Sequence, residues 1–236
     1  MPREKRAKIS VIIPTYKEGR YIENILSQLV RVNNPLEIIV VDSGSRDGTV
    51  ETARRFTGNV YQLNERGISK ARNYGAQRAS GEILVFMDAD VEPPIDFADK
   101  VLAAFRDRRV VGATCNIMPA EPRPSENAFF KFYNLLLRLF TVFRPHSRGE
   151  FLAVRRKEFI KVGGFNEDLP CLEDHDLALR LSRLGRFIFI NGLTVYETMR
   201  RIRRLGLLNV VKMWTINYLF FMLRGRPVAE TWHAVR

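Results

Sequence analysis

The segment Glu82-Ile-Leu-Val-Phe-Met-Asp-Ala-Asp90 decides the fold class that the sequence predicts. A run of apolar residues follows Glu82, which is the pattern of a strand buried on both faces. Ile9–Ile13 and Glu37–Val41 have the same character. Apolar residues at helical spacing separate these runs, most clearly in residues 18–31. Strands that alternate with helices predict an α/β fold, in which helices cover both faces of a Rossmann-like, mostly parallel sheet.

Polar residues follow each of these three predicted strands, in the segments Pro14-Thr-Tyr16, Asp42-Ser-Gly-Ser45 and Asp88-Ala-Asp90. Ligands of such sheets bind beyond the carboxyl ends of the strands, so we expect the three loops to line one crevice. Alternation along an extended chain directs Asp88 and Asp90 the same way. Two carboxylates at a strand end suit Mg²⁺ or Mn²⁺, although two acids in a solvated turn would give the same pattern.

A second acidic cluster, Glu173-Asp-His-Asp176, opens a predicted helix further along the chain. The positive end of the helix dipole stabilises an ionised carboxylate. We therefore expect an acid of this cluster to be available as a general base at neutral pH. Between the two acidic clusters, the pattern predicts a strand at 110–115, an apolar helix at 126–143 and a strand at 150–154.

The chain of 236 residues carries a net charge of +12, and this charge is concentrated at its ends. Residues 1–8 contribute +3 and residues 200–236 contribute +7, which leaves +2 for the long central part. A basic excess indicates an anionic partner, and its position beside apolar segments favours an anionic membrane surface or a phosphate over nucleic acid.

Two apolar segments, residues 127–143 and 207–223, contain aromatic residues and are flanked or interrupted by basic ones. Such helices suit the interface of a membrane, and packing on the domain or in a homodimer is the alternative. We divide the chain into a catalytic domain at 1–199 and a basic, amphipathic helical extension at 200–236. Two cysteines, no apolar leader and no long apolar run predict a cytoplasmic protein, peripheral on the cytoplasmic face of the membrane.

Six motifs in order resemble glycosyltransferase family 2, the inverting nucleotide-sugar transferases of GT-A fold. They are Val11-Ile-Ile-Pro-Thr-Tyr-Lys-Glu18, Ile39-Val-Val-Asp-Ser-Gly-Ser-Arg-Asp-Gly-Thr49, Gly67–Gly75 with Ala71-Arg-Asn73, Gly81–Asp90, Val162-Gly-Gly-Phe165 and Glu173-Asp174. The resemblance implies a GT-A fold and a metal-dependent transfer of a sugar from a UDP- or GDP-linked donor to a hydroxyl or a lipid-phosphate-linked acceptor. The absence of the processive Q-x-x-R-W motif implies one sugar for each encounter.

The resemblance also implies roles for particular residues. Donor contacts are implied for Pro14, Thr15, Tyr16, Glu18, Asp42, Arg72, Asp88, Ala89 and Asp90. Asp90 and Asp88 would hold Mg²⁺ or Mn²⁺, and Asp174 would be the catalytic base. Glu173, Gly164, Arg200 and Arg201 are candidates for contact with the acceptor or a phosphate. Ser43 departs from the family, because many members have a second acid there, and this weakens the expectation for base contacts on that loop.

Two other functions are compatible with parts of the sequence. A nucleotidyltransferase that makes a nucleotide-sugar also uses an α/β sheet and paired acids, but Pro14–Gly19 lacks its glycine-rich phosphate loop. A nucleic-acid-binding protein would interleave basic residues with exposed aromatic ones along a groove, whereas the charge here lies beside apolar helices.

Overall fold

The computed structural model describes residues 8–230, without the side chain of Val142. Part of the basic charge predicted at the chain ends, on Arg3, Lys5, Arg6 and Arg236, lies outside the described residues. One sheet of eight strands, in the order β3-β2-β1-β4-β7-β6-β8-β5, forms the centre of the described part. The strands are β1 (Ile9–Thr15), β2 (Leu36–Asp42), β3 (Val60–Gln62), β4 (Ile83–Met87), β5 (Val91–Glu92), β6 (Val110–Pro119), β7 (Phe151–Arg155) and β8 (Arg186–Glu197).

The first half of the sheet is parallel, as the sequence predicts. Strand β1 pairs in parallel with both β2 and β4, with Ile12 opposite Ile39 on one side and Phe86 on the other. Strand β7 enters antiparallel to both β4 and β6, and β5 runs antiparallel to β8, whereas β6 and β8 are parallel. The fold is therefore the α/β GT-A architecture with a mixed, mostly parallel sheet.

Nine helices within the described residues cover this sheet or follow it. They are α1 (Ile22–Leu29), α2 (Thr49–Arg54), α3 (Ile68–Arg78), α4 (Phe97–Ala104), α5 (Pro124–Phe143), α6 (Arg156–Lys161), α7 (Glu173–Ser182), α8 (Arg200–Leu205) and α9 (Leu207–Arg224). Helices α5 and α7 begin within two residues of their predicted starts. Among the described residues, no helix combines the length and the apolar character needed to cross a bilayer.

The sheet separates two hydrophobic cores because successive strand residues point to opposite faces. Val11 and Ile13 join the core that α1 and α4 cover, and Ile12 joins the core that α3 and α7 cover. Gly75 allows α3 to lie directly on the sheet, since a Cβ there would come within 2.6 Å of Cγ2 of Ile12.

A third, smaller core joins α5 to the C-terminal helices. Phe130 of α5 packs with Met199, Ile202 of α8 and Val210 of α9, and all four side chains are buried. The described part of the predicted C-terminal extension thus forms two helices, α8 and α9, and it packs against α5. The division of the chain at residues 199 and 200 stays a prediction.

Candidate active site

A cavity of about 730 Å³ opens beside the edge of the sheet where β4 and β8 end. Strand β7 runs the other way, so residues just before it, such as Glu150, reach the same edge. The cavity brings together seven of the residues singled out in the sequence: Arg72, Asp88, Asp90, Glu173, Asp174, Arg200 and Arg201. Residues far apart in the chain therefore meet in one site.

Arg72 holds the two acidic clusters together. Its guanidinium is buried and donates hydrogen bonds to Oδ1 of Asp88 at 2.9 Å, to Oε1 of Glu173 at 2.8 Å and to the backbone oxygen of Gly149 at 2.9 Å. Burial raises the pKa of Asp88 to about 7, and the charge of Arg72 limits this rise. Asp88 is therefore only partly ionised near neutral pH.

Asp174 lies in the first turn of α7, next to Glu173. Burial, followed by the charge of Glu173, raises the pKa of Asp174 well above its ordinary value, while Arg72 acts in the opposite direction. Burial thus outweighs the stabilisation of the ionised form by the helix dipole, and the availability of this acid as a general base stays a prediction. A carboxylate with a raised pKa is nevertheless a stronger base once it is ionised.

Arg200 of α8 connects Asp90 with the loop after β1. Its Nε lies 2.9 Å from Oδ2 of Asp90, and its two terminal nitrogens donate to both carboxylate oxygens of Glu18 at 2.8 and 3.0 Å. Thr198 donates a further hydrogen bond of 2.7 Å to Asp90. Arg200 therefore lies in the cavity with carboxylates as its partners, and its contact with an acceptor or a phosphate stays a prediction.

Three charged residues of the site were not predicted from the sequence. Arg148 is buried and pairs with Glu150 at 2.8 Å and with Glu197 at 3.0 Å. Burial, together with the charge of Glu150, raises the pKa of Glu197 well above its usual range. Glu150 stands immediately before a predicted strand and Glu197 ends one, so a search for polar residues at every strand end would have found both.

The loops after β1 and β2 are joined by Asp42, which is fully buried. Asp42 accepts hydrogen bonds from the Thr15 hydroxyl at 3.0 Å and from the backbone nitrogens of Gly44 and Ser45 at 3.0 and 2.8 Å. The Ser45 hydroxyl also donates to Asp42. These bonds give Asp42 a role in shaping the loop, and its contact with a donor stays a prediction.

Several residues predicted to touch a ligand lie outside the lining of this cavity. Pro14 and Tyr16 are half-buried, and Tyr16 lies beneath the guanidinium of Arg66, 4.5 Å from its ring centre. Ala89 is buried between the two aspartates. Gly164 has a φ of 72° and lies against α3, so this structure gives it a role in packing.

The residues at the end of β4 have the chemistry of a divalent-cation site. Asp88 and Asp90 provide two carboxylates, the number that Mg²⁺ commonly takes from a protein when substrate phosphates complete its shell. Among the described residues, no group of three or more acidic, histidine or cysteine side chains forms a closed metal site. The pair therefore fits a metal that is shared with a phosphate ligand.

Comparison with known proteins agrees with the family that the sequence motifs resemble. Residues 10–165 match the model of the family described as glycosyl transferase family 2. A curated dolichol-phosphate mannosyltransferase from Pyrococcus furiosus is 36% identical over 110 residues, which are 42% of this chain and 30% of that protein. The chain thus spans about a third of the length of that relative.

Solved structures are similar over much more of the chain. A mannosyltransferase from Pyrobaculum calidifontis, in complex with GDP-Man and Mn²⁺, has a TM-score of 0.71 and 29% identity, and the match covers 86% of this chain and 62% of that one. The Staphylococcus aureus protein TarS, in complex with UDP-GlcNAc, has a TM-score of 0.65 at 22% identity over 81% of this chain and 58% of that one. At that identity the similarity shows the fold alone.

Proposed function

The chain belongs to glycosyl transferase family 2, and from this premise we propose that it is a metal-dependent, inverting hexosyltransferase. It moves one sugar from a UDP- or GDP-linked donor to a hydroxyl or a lipid-phosphate-linked acceptor. The observation that carries the proposal is the bridge of Arg72, which places the aspartates after β4 and the acids that begin α7 on one cavity. The Pyrobaculum calidifontis enzyme, with GDP-Man and Mn²⁺, supports a nucleotide-sugar and a divalent metal.

Asp88 and Asp90 are the residues that would hold Mg²⁺ or Mn²⁺. The guanidinium of Arg200 lies 2.9 Å from Oδ2 of Asp90, so a metal ion would share this carboxylate with Arg200. A bound divalent metal ion supplies positive charge that stabilises a departing diphosphate. Arg72 adds a fixed positive charge behind Asp88, in a buried position where charge interactions are strong.

Asp174 is our candidate for the residue that acts on the acceptor. It lines the cavity together with Asp88 and Asp90, and burial raises the pKa of its carboxyl, which makes the ionised form a stronger base. When the acceptor is a hydroxyl, a carboxylate oxygen of Asp174 takes its proton as the acceptor oxygen attacks the anomeric carbon. A single displacement on the face opposite the leaving group inverts that carbon.

Donor binding can be tested without knowing the acceptor. A panel of UDP- and GDP-linked sugars, screened for thermal stabilisation that depends on Mn²⁺, should contain a compound that raises the melting temperature. Asp90→Ala should abolish the metal-dependent part of that rise. Full metal-dependent stabilisation of the Asp90→Ala protein would show that the metal lies elsewhere.

The base is tested by Asp174→Asn, with Asp176→Asn as a control in the same helical turn. General base catalysis contributes roughly 10²–10⁴-fold, so transfer to a hydroxyl acceptor should fall by that factor in Asp174→Asn. Asp176 pairs with Arg180 outside the cavity lining, and its variant should keep nearly full activity. Equal activity of both variants would remove Asp174 from the base role.

The nucleotidyltransferase alternative predicts a different product. Such an enzyme would release pyrophosphate from a nucleoside triphosphate and a sugar phosphate, whereas the proposed transferase releases a nucleoside diphosphate from a nucleotide-sugar. Assays for the two products with the same protein sample distinguish the reactions.

We also infer peripheral binding to an anionic membrane surface. Among the described residues, nine of sixteen exposed large apolar side chains belong to α5 and α9: Phe132, Leu135, Leu139, Phe140, Phe143, Leu208, Ile216, Leu219 and Leu223. Apolar surface concentrated in this way marks a contact site, and the arginines of α8 lie beside it. Association in a homodimer and a cytoplasmic setting stay predictions.

Co-sedimentation with anionic liposomes at low salt tests this inference. The double variant Leu208→Glu/Leu223→Glu should lose binding, because both side chains are 83% exposed on α9. Val30→Glu is the control, since Val30 is 53% exposed at the end of α1. Absence of binding by the unmodified protein would overturn the inference.

A further inference from the structure

The cavity that holds the catalytic acids continues between α5 and α9 as an apolar chamber. On α5, its lining residues recur at helical spacing: Phe129, Phe132, Tyr133, Leu136, Leu137 and Phe140. On α9, Val211, Trp214 and Tyr218 face the same space. The ring centres of Tyr133 and Trp214 are 6.0 Å apart and nearly parallel, so the two helices meet at this pair.

The protein itself leaves part of this chamber open to solvent. Phe130 of α5 closes one end by packing with α8 and α9, but Phe132 and Phe140 of the chamber lining remain 60% exposed. The whole cavity, which includes the chamber and the polar end with the catalytic acids, has a volume of about 730 Å³, within the usual range for sites that bury most of a small ligand. Apolar walls of this extent are suited to a flexible hydrocarbon chain.

A positively charged side chain lines the cavity beside these apolar walls, near the catalytic acids. Arg144 directly follows α5, lines the cavity and makes no ion pair with the described residues. Burial lowers the pKa of His175, a residue of α7, to about 3, and the charges of His146 and Arg144 contribute to this shift. Arg144 therefore lies near α7. His175 is the next residue after Asp174. An anion that Arg144 binds would therefore lie close to the proposed reaction centre.

We propose that the acceptor is the phosphate monoester of a long-chain alcohol, with its chain in the chamber between α5 and α9 and its phosphate between Arg144 and the catalytic acids. This rests on the proposed function. A phosphate oxygen forms the new bond to the anomeric carbon while the bond from that carbon to the donor's diphosphate breaks. The products are a glycosyl phosphate lipid and a nucleoside diphosphate, and no proton has to be removed from an ionised phosphate.

Binding can be measured without a donor by the fluorescence of Trp214. The chain has two tryptophans, so Trp232→Phe leaves Trp214 alone to report. The probes are n-butyl and n-octyl phosphate below their micelle concentrations, with n-octanol and inorganic phosphate as comparisons. We expect saturable binding of octyl phosphate at least tenfold tighter than that of butyl phosphate or octanol, and no saturable signal with inorganic phosphate.

Two neighbouring residues of α5 provide a matched pair of variants. Phe140 and Leu139 are 60% and 56% exposed, but only Phe140 lines the chamber. Phe140→Asp should weaken octyl phosphate at least tenfold, and Leu139→Asp should leave it within twofold. Arg144→Gln should reduce the affinity for octyl phosphate to that for octanol. Unchanged melting temperatures would verify that the variants fold.

The outcomes separate this proposal from the proposed function. Mn²⁺-dependent donor stabilisation without octyl phosphate binding would overturn the acceptor proposal and leave the transferase intact. Octyl phosphate binding that obeys the variant pattern, without any donor response, would support the chamber and count against the transferase. Equal losses in Phe140→Asp and Leu139→Asp, or a dimer that both variants dissociate, would assign the surface to another contact and overturn the proposal.

Discussion

Replacement of Arg72 by methionine tests whether the bridge between the two acidic clusters is as costly to break as its geometry implies. The guanidinium is 1% exposed and pairs with Asp88 at 2.9 Å and Glu173 at 2.8 Å. Removing one partner of a buried ion pair costs about 3–5 kcal/mol, because the carboxylate of Glu173 stays buried without Arg72 to compensate its charge. For a chain of this size, each kcal/mol lowers the melting temperature by roughly 2–4 °C. We therefore expect a fall of about 6–20 °C.

The pH dependence provides a sharper test, because burial raises the folded-state pKa of Asp88 to about 7 even with Arg72 present. A carboxyl with a raised folded-state pKa makes the folded state lose stability as pH rises from the unfolded pKa to the folded one. Loss of Arg72 raises the pKa of Asp88 further, so this decline continues above pH 7. The cost of Arg72→Met should then grow by about 1 kcal/mol between pH 7 and pH 8.

Urea unfolding at pH 6, 7 and 8 in the presence of a chelator, followed by circular dichroism, would measure these free energies. Arg78→Met is the control on the same helix, since Arg78 is exposed and stacks on Tyr74. That contact is worth about 0.5–1 kcal/mol, with no expected change over this pH range. A loss below about 1 kcal/mol for Arg72→Met at pH 8, or a loss that is independent of pH, would refute the reasoning.

Two further predictions concern packing and acid stability. Gly75→Ala should destabilise the protein by about 1–3 kcal/mol in urea unfolding, because the added methyl meets Ile12 at 2.6 Å. Gly58→Ala is the control and should not destabilise the protein in this way, because a methyl at Gly58 meets nothing within 4 Å. His175 has a pKa lowered to about 3 by burial, and both of its ring nitrogens are buried without a hydrogen-bond partner among the described residues. Below pH 6.5 His175 binds a proton in the unfolded chain but stays neutral in the folded protein, so the free energy of unfolding falls as pH falls. Between pH 6.5 and pH 5, the free energy of unfolding of His175→Phe should therefore fall by about 2 kcal/mol less than that of the unmodified protein. An unchanged pH profile of the melting temperature would contradict this assignment.

The parallel half of the sheet could be predicted because its signals are local. Strands β1, β2 and β4 are continuous apolar runs, and each ends at a proline or an aspartate. The apolar residues of α3 and α5 recur at helical spacing, and the helix breaker Pro124 marks the first position of α5. In these segments local propensity and tertiary burial agree.

The other half of the sheet could not be predicted so fully, because its pairings depend on distant partners. Strand β8 has mixed burial and pairs with β6 through two register irregularities. Strand β5 has two residues and exists only because β8 lies beside it. A strand stabilised mainly by its neighbour leaves little trace in its own composition.

The acids of the site could be found from the sequence, but their ionisation could not. Asp88, Asp90 and Asp174 stand at a strand end or a helix start, which are recognisable positions. The pKa values of Asp88 and Asp174 depend on burial and on Arg72, which reaches Glu173 across 101 positions of the chain. Arg148 and Glu197 are 49 positions apart, and their pairing could not be predicted because nothing local links the two residues.

The family match ends before all the residues that line the cavity have been covered. The match covers residues 10–165, which include Arg72, Asp88 and Asp90. Asp174, Arg200 and the whole of α9 lie beyond it, whereas α5 lies within it, and residues from all of them line the same cavity. A relative that resembles this chain only over the matched part is not compared at Asp174 or at α9, so its acceptor does not transfer with the resemblance. The acceptor has to be deduced from the chamber between α5 and α9, and for that reason Phe140 and Arg144 are more decisive positions to test than any residue of the donor loops.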